Sequence, residues 1–360
     1  MTIFEIDGFH LTLAQIDEIL RTPDAEVRLT EECKERCRKT RRQIDKWLEK
    51  DAPTIYGVNT GLGNLKDVVV PPEMHITWNR TLPYPHAAGM GAYLAPEIPR
   101  LALLLRANIL ARAYSAVRVE LIERILSLFN KGVCPAVHSE GSTGLSDLAP
   151  MAQCVMVVAG LEEGKAYYKG ELMSAREALG AAGLPETFDL HCKEVLAQMN
   201  GSTMTQAMAV LSFLKYEKLF EKYEAKMGDA YAARRAAYRK TNAFTLGILN
   251  LECNISCDNP LLFELEDGSF EPVMGCNCSN TQVGYAMDLM NVIVCEMAND
   301  LCHGSTDAAA LAKLARIKTC AMQISADSIP TKSGQEDHVE FSYGAARKFK
   351  LAVELLDTLL

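Results

Sequence analysis

An all-α fold built on long central helices is predicted by three observations. Apolar residues recur at three- and four-residue spacing over long stretches, alternating β-branched runs are almost absent, and segments rich in Gly, Asn and Pro punctuate the periodic ones. The 360 residues are 49% hydrophobic and 23% charged, enough to bury a large core and too apolar for disorder to be the main theme. The stretch from Ile98 to Asn130 is periodic throughout and stops at Lys131-Gly132, a basic last turn followed by glycine, so one long helix is expected there. Its apolar residues cover nearly the whole circumference, which assigns it to the inside of a bundle. A second long helix is expected from about Thr203 past Lys226, and a third from about Thr281 to Leu301 with a break near Gly304. No internal repeat or low-complexity linker is visible, so residues 1–90 read as an N-terminal cap and residues 91–360 as the helical bundle, joined in one continuous domain.

Charge narrows the partners. Lys plus Arg (37) against Asp plus Glu (46) gives a net charge of -9, which offers no general attraction to phosphate backbones or anionic lipid, so neither nucleic acid nor membrane is expected as a partner. The opening Met1-Thr2-Ile3-Phe4-Glu5 lacks the basic and apolar regions of a secretory signal. The most apolar run, Leu101 to Leu110, is broken by Arg106 and Asn108 well short of the roughly 20 residues of a membrane span. A cytoplasmic location is expected, with the 12 cysteines reduced rather than paired.

In a bundle of rigid helices the chemistry belongs on the loops between them. The segment Tyr56-Gly57-Val58-Asn59-Thr60-Gly61-Leu62-Gly63 packs three glycines and a phenol into one turn, a composition for a tight backbone path beside a ligand. Alone it reads better as a structural turn. It is followed in order by His86-Ala87-Ala88-Gly89, by the stretch from Gly141 to Pro150 (GSTGLSDLAP), and by the stretch from Lys193 to Gly201 (KEVLAQMNG). Asp258-Asn259-Pro260-Leu261, then Asp327 to Thr331 and Gln335 to Val339, complete the series.

In this order the segments resemble the aromatic amino acid lyase superfamily, and within it the histidine ammonia-lyases, over nearly the whole chain including Leu11 to Gln15. The resemblance implies an all-helical fold with long central helices, a homotetramer with shared active sites, and a small amino-acid-derived substrate. It also implies the reaction, removal of an amine and the neighbouring β-proton to leave an α,β-unsaturated acid. By the same resemblance Tyr56 is the base or its close neighbour, His86 the substrate-site histidine, Asn200 the asparagine beside the electrophile, and Glu336 the glutamate facing the substrate side chain. A phenol titrates near 10 and needs neighbouring donors to work as a base.

Three departures reshape that expectation. The superfamily forms an electrophilic methylidene-imidazolone ring from an Ala-Ser-Gly tripeptide ahead of Asp-Leu-Ala-Pro, but here only Leu145-Ser146 stands between Gly144 and Asp147. The missing residue is the glycine that lets the backbone cyclise, so no ring and no other cofactor is expected. A primary amine leaves poorly without the ring, whereas a quaternary ammonium leaves as a neutral amine. Ergothionase, a superfamily member, eliminates trimethylamine from a histidine betaine without the ring, and a trimethylammonium betaine is the substrate expected here.

The second departure is the absence of the superfamily's Gln-Asp-x-Tyr-Ser-Leu-Arg segment, for which Tyr238 to Asn242 is a loose substitute, and Arg239 and Lys332 are the candidates to bind the substrate carboxylate. Tyr84, Ser146 and Cys278 are further substrate-binding candidates, with Tyr343 and Glu336 beside Tyr84 as walls for a cation. The third is the cysteine set Cys253, Cys257, Cys276 and Cys278, whose spacing fits no standard ligand set, so buried thiols rather than a metal site are expected. A Cys-ligated metalloenzyme and a catalytically degenerate binding homologue are the competing readings, beside an ordinary ammonia-lyase.

Overall fold

The computed structural model describes residues 1–49, 51–275, 278–327 and 339–360. The chain opens with β1 (Thr2–Ile6), α1 (Leu13–Arg21) and β2 (Ala25–Leu29), the two strands pairing in parallel. Thr12 and Gln15 close a capping box on α1, each side chain satisfying the other's backbone N–H. α2 (Glu31–Lys46) is highly charged, yet it turns Cys33, Cys37, Arg41 and Ile44 inward as a single stripe. The short helices α3 (His75–Thr81) and α4 (Pro83–His86) then lead to β3 (Met90–Tyr93).

α5 (Glu97–Ala111) is buried on every face, as apolar residues around nearly its whole circumference demanded. α6 (Val119–Lys131) ends at Gly132, whose φ of +72° is the left-handed cap that glycine supplies without a Cβ clash. These are two helices where the sequence reads as one from Ile98 to Asn130. The segment 112–118 leaves the helical path because its carbonyls find partners elsewhere. Thr40 Oγ1 donates to Ala113 O at 2.9 Å and Leu262 N to Tyr114 O at 2.8 Å, while Ala113 and Ala116 take left-handed φ values of +75° and +54°.

β4 (Cys134–Pro135), β5 (His138–Glu140), α7 (Leu148–Val158), β6 (Lys165–Tyr168), β7 (Glu171–Ser174), α8 (Ala175–Ala181) and α9 (Glu194–Met199) follow. β3 pairs with β5, and β6 lies between β4 and β7, all antiparallel. The long helices α10 (Thr203–Met227) and α11 (Ala232–Glu252) come next. After the hairpin of β8 (Leu261–Glu264) and β9 (Phe270–Val273) come α12 (Thr281–Leu301), α13 (Ala308–Cys320) and α14 (Ser342–Asp357). α10 and α12 match the second and third expected long helices.

The chain divides into two compact units: Met1–Ser142 with Ser146–Met204 and Cys253–Cys278, and Thr143–Leu145 with Thr205–Glu252 and Ser279–Leu360. In the first, Asn254 clasps Leu11 from both sides, Oδ1 accepting from Leu11 N at 2.9 Å and Nδ2 donating to Leu11 O at 2.8 Å. In the second, α12 packs against α11, α13 and α14. There Tyr216 on α10 donates to Asn242 Oδ1 at 2.9 Å, and its ring lies 6.0 Å from that of Phe349. Among the described residues no helix is long and apolar enough to cross a membrane.

Candidate active site

The tyrosine loop is held by its own asparagine and threonine. Asn59 Oδ1 accepts from Ile55 N at 2.7 Å, Asn59 Nδ2 donates to Pro53 O at 2.9 Å, and Thr60 Oγ1 accepts from Gly57 N at 3.1 Å. Gly57 has φ +70°, and a Cβ there would come within 2.9 Å of Pro260 Cδ, so glycine lets this loop close onto the Asp258–Pro260 turn. Tyr56 itself is half-buried, its Oη accepting from Gly63 N at 3.3 Å.

Asn200 follows α9 and meets the same turn. Its Nδ2 donates to Asp258 Oδ1 at 3.2 Å and to Asn259 O at 3.4 Å. The backbone is pinned as well, because the buried Arg106 on α5 donates to Asn200 O and to Ala197 O. Gly201, at φ +100°, leaves no room for a Cβ, which would meet Cys257 Sγ at 2.3 Å. Asp258 in turn pairs with Lys193, and both side chains are completely enclosed.

The Asn200–Gly201 segment is stitched to Ser146 and Asp147. Ser146 Oγ accepts from Gly201 N at 2.8 Å, and Asp147 N donates to Gly201 O at 3.1 Å. Asp147 also accepts from Ser142 Oγ at 2.8 Å, and its carbonyl begins the α7 ladder at Met151 N. The superfamily ring requires the nitrogen of the residue after the serine to attack the carbonyl before it. Here that residue carries a side chain and its N–H is already engaged, so the residues present do not fit the ring.

His86 ends α4, which packs against α7. Its Nδ1 lies 2.9 Å from Leu82 O, a pure acceptor, so Nδ1 carries the proton and Nε2 is the acceptor of the neutral ring. Tyr84 on the same helix is 38% exposed. Cys278 is buried, its carbonyl accepting from Ser202 Oγ at 3.4 Å. In the first unit Ser146 bonds the residue after Asn200, and Asn200 meets the Asp258–Pro260 turn onto which the residue after Tyr56 closes, while His86 and Cys278 belong to the same unit. Arg239 belongs to the second unit, where its exposed guanidinium pairs with Glu224, and Tyr343 there is fully enclosed. Glu336, Lys332 and Cys276 lie outside the described residues. The described members of the cysteine set, Cys253, Cys257 and Cys278, are buried and form no disulfide.

The sequence profile described as aromatic amino acid lyase matches residues 11–245. The chain belongs to the aromatic amino acid lyase family. Among curated relatives, histidine ammonia-lyase 2 of Fusobacterium nucleatum is 30% identical, the alignment covering 98% of this chain and 84% of the relative. That alignment runs over 438 positions, more than the 360 residues of this chain, so internal segments of the relative have no counterpart here. Histidine ammonia-lyase from Trypanosoma cruzi superposes with a TM-score of 0.83 at 24% identity, covering 99% of this chain and 82% of that one. The ergothioneine-degrading enzyme ergothionase from Treponema denticola gives 0.87 at 16% identity, covering 99% and 87%. The aromatic amino acid lyase fold and membership among carbon–nitrogen lyases follow.

Within that family fold, four buried polar residues escaped the sequence reading. Lys193 and Asp258 stand inside quoted motifs but look like surface charges. Arg106 registers in the sequence only as an interruption of an apolar run. The fourth is Glu340 in the second unit, wholly buried, which accepts from Ser279 Oγ at 2.8 Å and Asn280 N at 3.2 Å while its carbonyl takes Leu145 N at 3.3 Å. Burial, reinforced by the Glu340 carboxylate, pushes the half-buried Glu252 up to about 8.

Proposed function

We propose that this lyase eliminates an amine without a methylidene-imidazolone group and that its favoured substrate is a trimethylammonium betaine of histidine or a related aromatic amino acid. The observation that carries this reading is Asp147 N donating to Gly201 O from the position that cyclisation would need. The fold shared with ergothionase is compatible with it.

In the proposed reaction Tyr56, with its oxygen oriented by Gly63 N–H, takes the β-proton. The C–H pair becomes the Cα=Cβ bond, and the Cα–N pair departs on nitrogen. A trimethylammonium leaves as neutral trimethylamine and cannot be deactivated by deprotonation beforehand. His86 Nε2 and Asn200 Oδ1 are acceptors suited to holding and orienting the substrate's polar groups, with Ser146, Cys278 and Tyr84 around them. Glu336 facing the substrate side chain, and Lys332 or Arg239 binding the carboxylate, complete the proposed set.

A placed acid contributes roughly 10²- to 10⁴-fold, which leaves a primary amine without ring capture far from enzymatic rates. The betaine is therefore expected to react at least about 10²-fold faster than the parent amino acid, a barrier difference of about 2.7 kcal/mol. Incubation with histidine, phenylalanine, tyrosine and their betaines, followed by the ultraviolet absorbance of the conjugated acid, tests this. Ammonia released from plain histidine at the rate of the betaine reaction would return the protein to the ordinary ammonia-lyases. Intact mass is expected to equal the calculated value, and loss of two waters would reveal the ring.

We infer further that the chain assembles as a homotetramer. Large apolar side chains exposed on helices of the second unit support this, Phe244 and Leu251 on α11 and Tyr285, Leu289 and Val292 on α12.

A further inference from the structure

The amide of Asn200 has two faces, and only one of them is used by the protein. Its nitrogen donates to a carboxylate oxygen and to a carbonyl, Asp258 Oδ1 and Asn259 O, neither of which can donate in return. That pairing fixes which end of the amide is which, since the flipped form would set oxygen against oxygen twice. Asn200 Oδ1 consequently points away from the turn and takes no hydrogen bond from the described residues, although Asn200 is only half-buried.

The acceptor that enforces this orientation is itself held. Asp258 Oδ1 also accepts from Asn259 N at 2.6 Å, and Asp258 Oδ2 pairs with the Lys193 ammonium. Neither partner of the pair touches solvent, and enclosing two charges has a desolvation cost that packed apolar residues would avoid. Lys193 moreover adopts φ +73°, a left-handed backbone that a side chain disfavours, in order to start α9. Strain and buried charge together at one residue call for a local purpose.

We propose that Lys193 and Asp258 are positioning residues that lock the Asn200 amide with its carbonyl oxygen toward the substrate, giving the site a fixed negative dipole end that selects a positively charged nitrogen. This rests on the reading of Asn200 as substrate-facing. The effect falls on binding more than on the chemical step, because the nitrogen loses its charge as the Cα–N bond breaks, and an oxygen that favours the cation favours the ground state at least as much.

Two measurements separate the lock from the reaction. The first needs no substrate. Asn200→Asp puts two carboxylates face to face and is expected to lower Tm at pH 8 by at least about 5 °C, while Asn200→Asp with Asp258→Asn, which exchanges donor and acceptor, recovers most of the loss. An Asn200→Asp variant as stable as the parent, or a double variant no better than the single, would overturn the lock. The second uses Lys193→Met with Asp258→Asn, which removes both charges so that none is left buried alone. KM for the histidine betaine is expected to rise at least about tenfold with kcat within about threefold. An unchanged KM overturns the selecting role, and so does a fall in kcat and Tm together, the mark of a merely loosened fold. If the parent protein turns over neither histidine nor its betaine, the proposed reaction fails while the thermal measurement still decides the lock.

Discussion

Replacing Tyr56 by Phe removes one oxygen and keeps the half-buried ring that fills the loop. Turnover on an established substrate is expected to fall at least about 10²-fold with KM within about tenfold, and a near-normal kcat would move the base elsewhere, His86 first. Glu252 yields a prediction of another kind. Its folded value near 8 lies above the ordinary carboxylate value of 4.5, so the folded chain binds the proton more tightly than the unfolded one. The associated stability is complete below about 4.5 and is lost as pH rises through about 8. Tm is expected to decline between pH 5 and 8.5, and Glu252→Gln to flatten that decline, as thermal melts across the range will show. At this scale the sequence offers as candidates only residues that stand inside a recognisable run, Tyr56 and Asn200 among them. Lys193 and Asp258 are just as central to the geometry, but they lie 65 residues apart and nothing local distinguishes a buried lysine from a solvated one.

Helix ends illustrate the same divide between local and distant causes. The stop at Gly132 was legible because one residue's missing Cβ decides it. The interruption between α5 and α6 was not, since residues 112–118 contain neither Gly nor Pro and the carbonyls there are drawn off by Thr40 and Leu262. Exposure on α12 was equally hidden, because the helix is apolar on more faces than its own unit covers. Tyr285, Leu289 and Val292 follow one another at helical spacing on its open side, 52%, 40% and 42% exposed, which sets them apart from an isolated surface leucine. Leu289→Lys is expected to leave the helical circular dichroism unchanged and to weaken assembly at least tenfold in concentration, measured by sedimentation.

For the whole molecule, sedimentation of the unaltered protein at micromolar concentration is expected to report a tetramer, and a stable monomer would contradict shared active sites. The all-α class was legible from periodicity alone, and the family from a set of collinear loops that no single loop could have established. The division into two units was not, because each collects segments far apart in the chain. The Asn254 clasp on Leu11 brings that separation down to a single pair of hydrogen bonds spanning 243 residues. At a synthesis rate of about 5–20 residues per second, the seam at Leu11 stays open for roughly 12–50 s after its own residues emerge, far longer than a helix or hairpin takes to form. A nascent chain can pair Val27 with Asn130 and Gly8 with Asn108 well before this, but Leu11 has to wait for Asn254. The ribosome's pace, rather than the strength of any local element, sets the earliest moment at which this clasp can close.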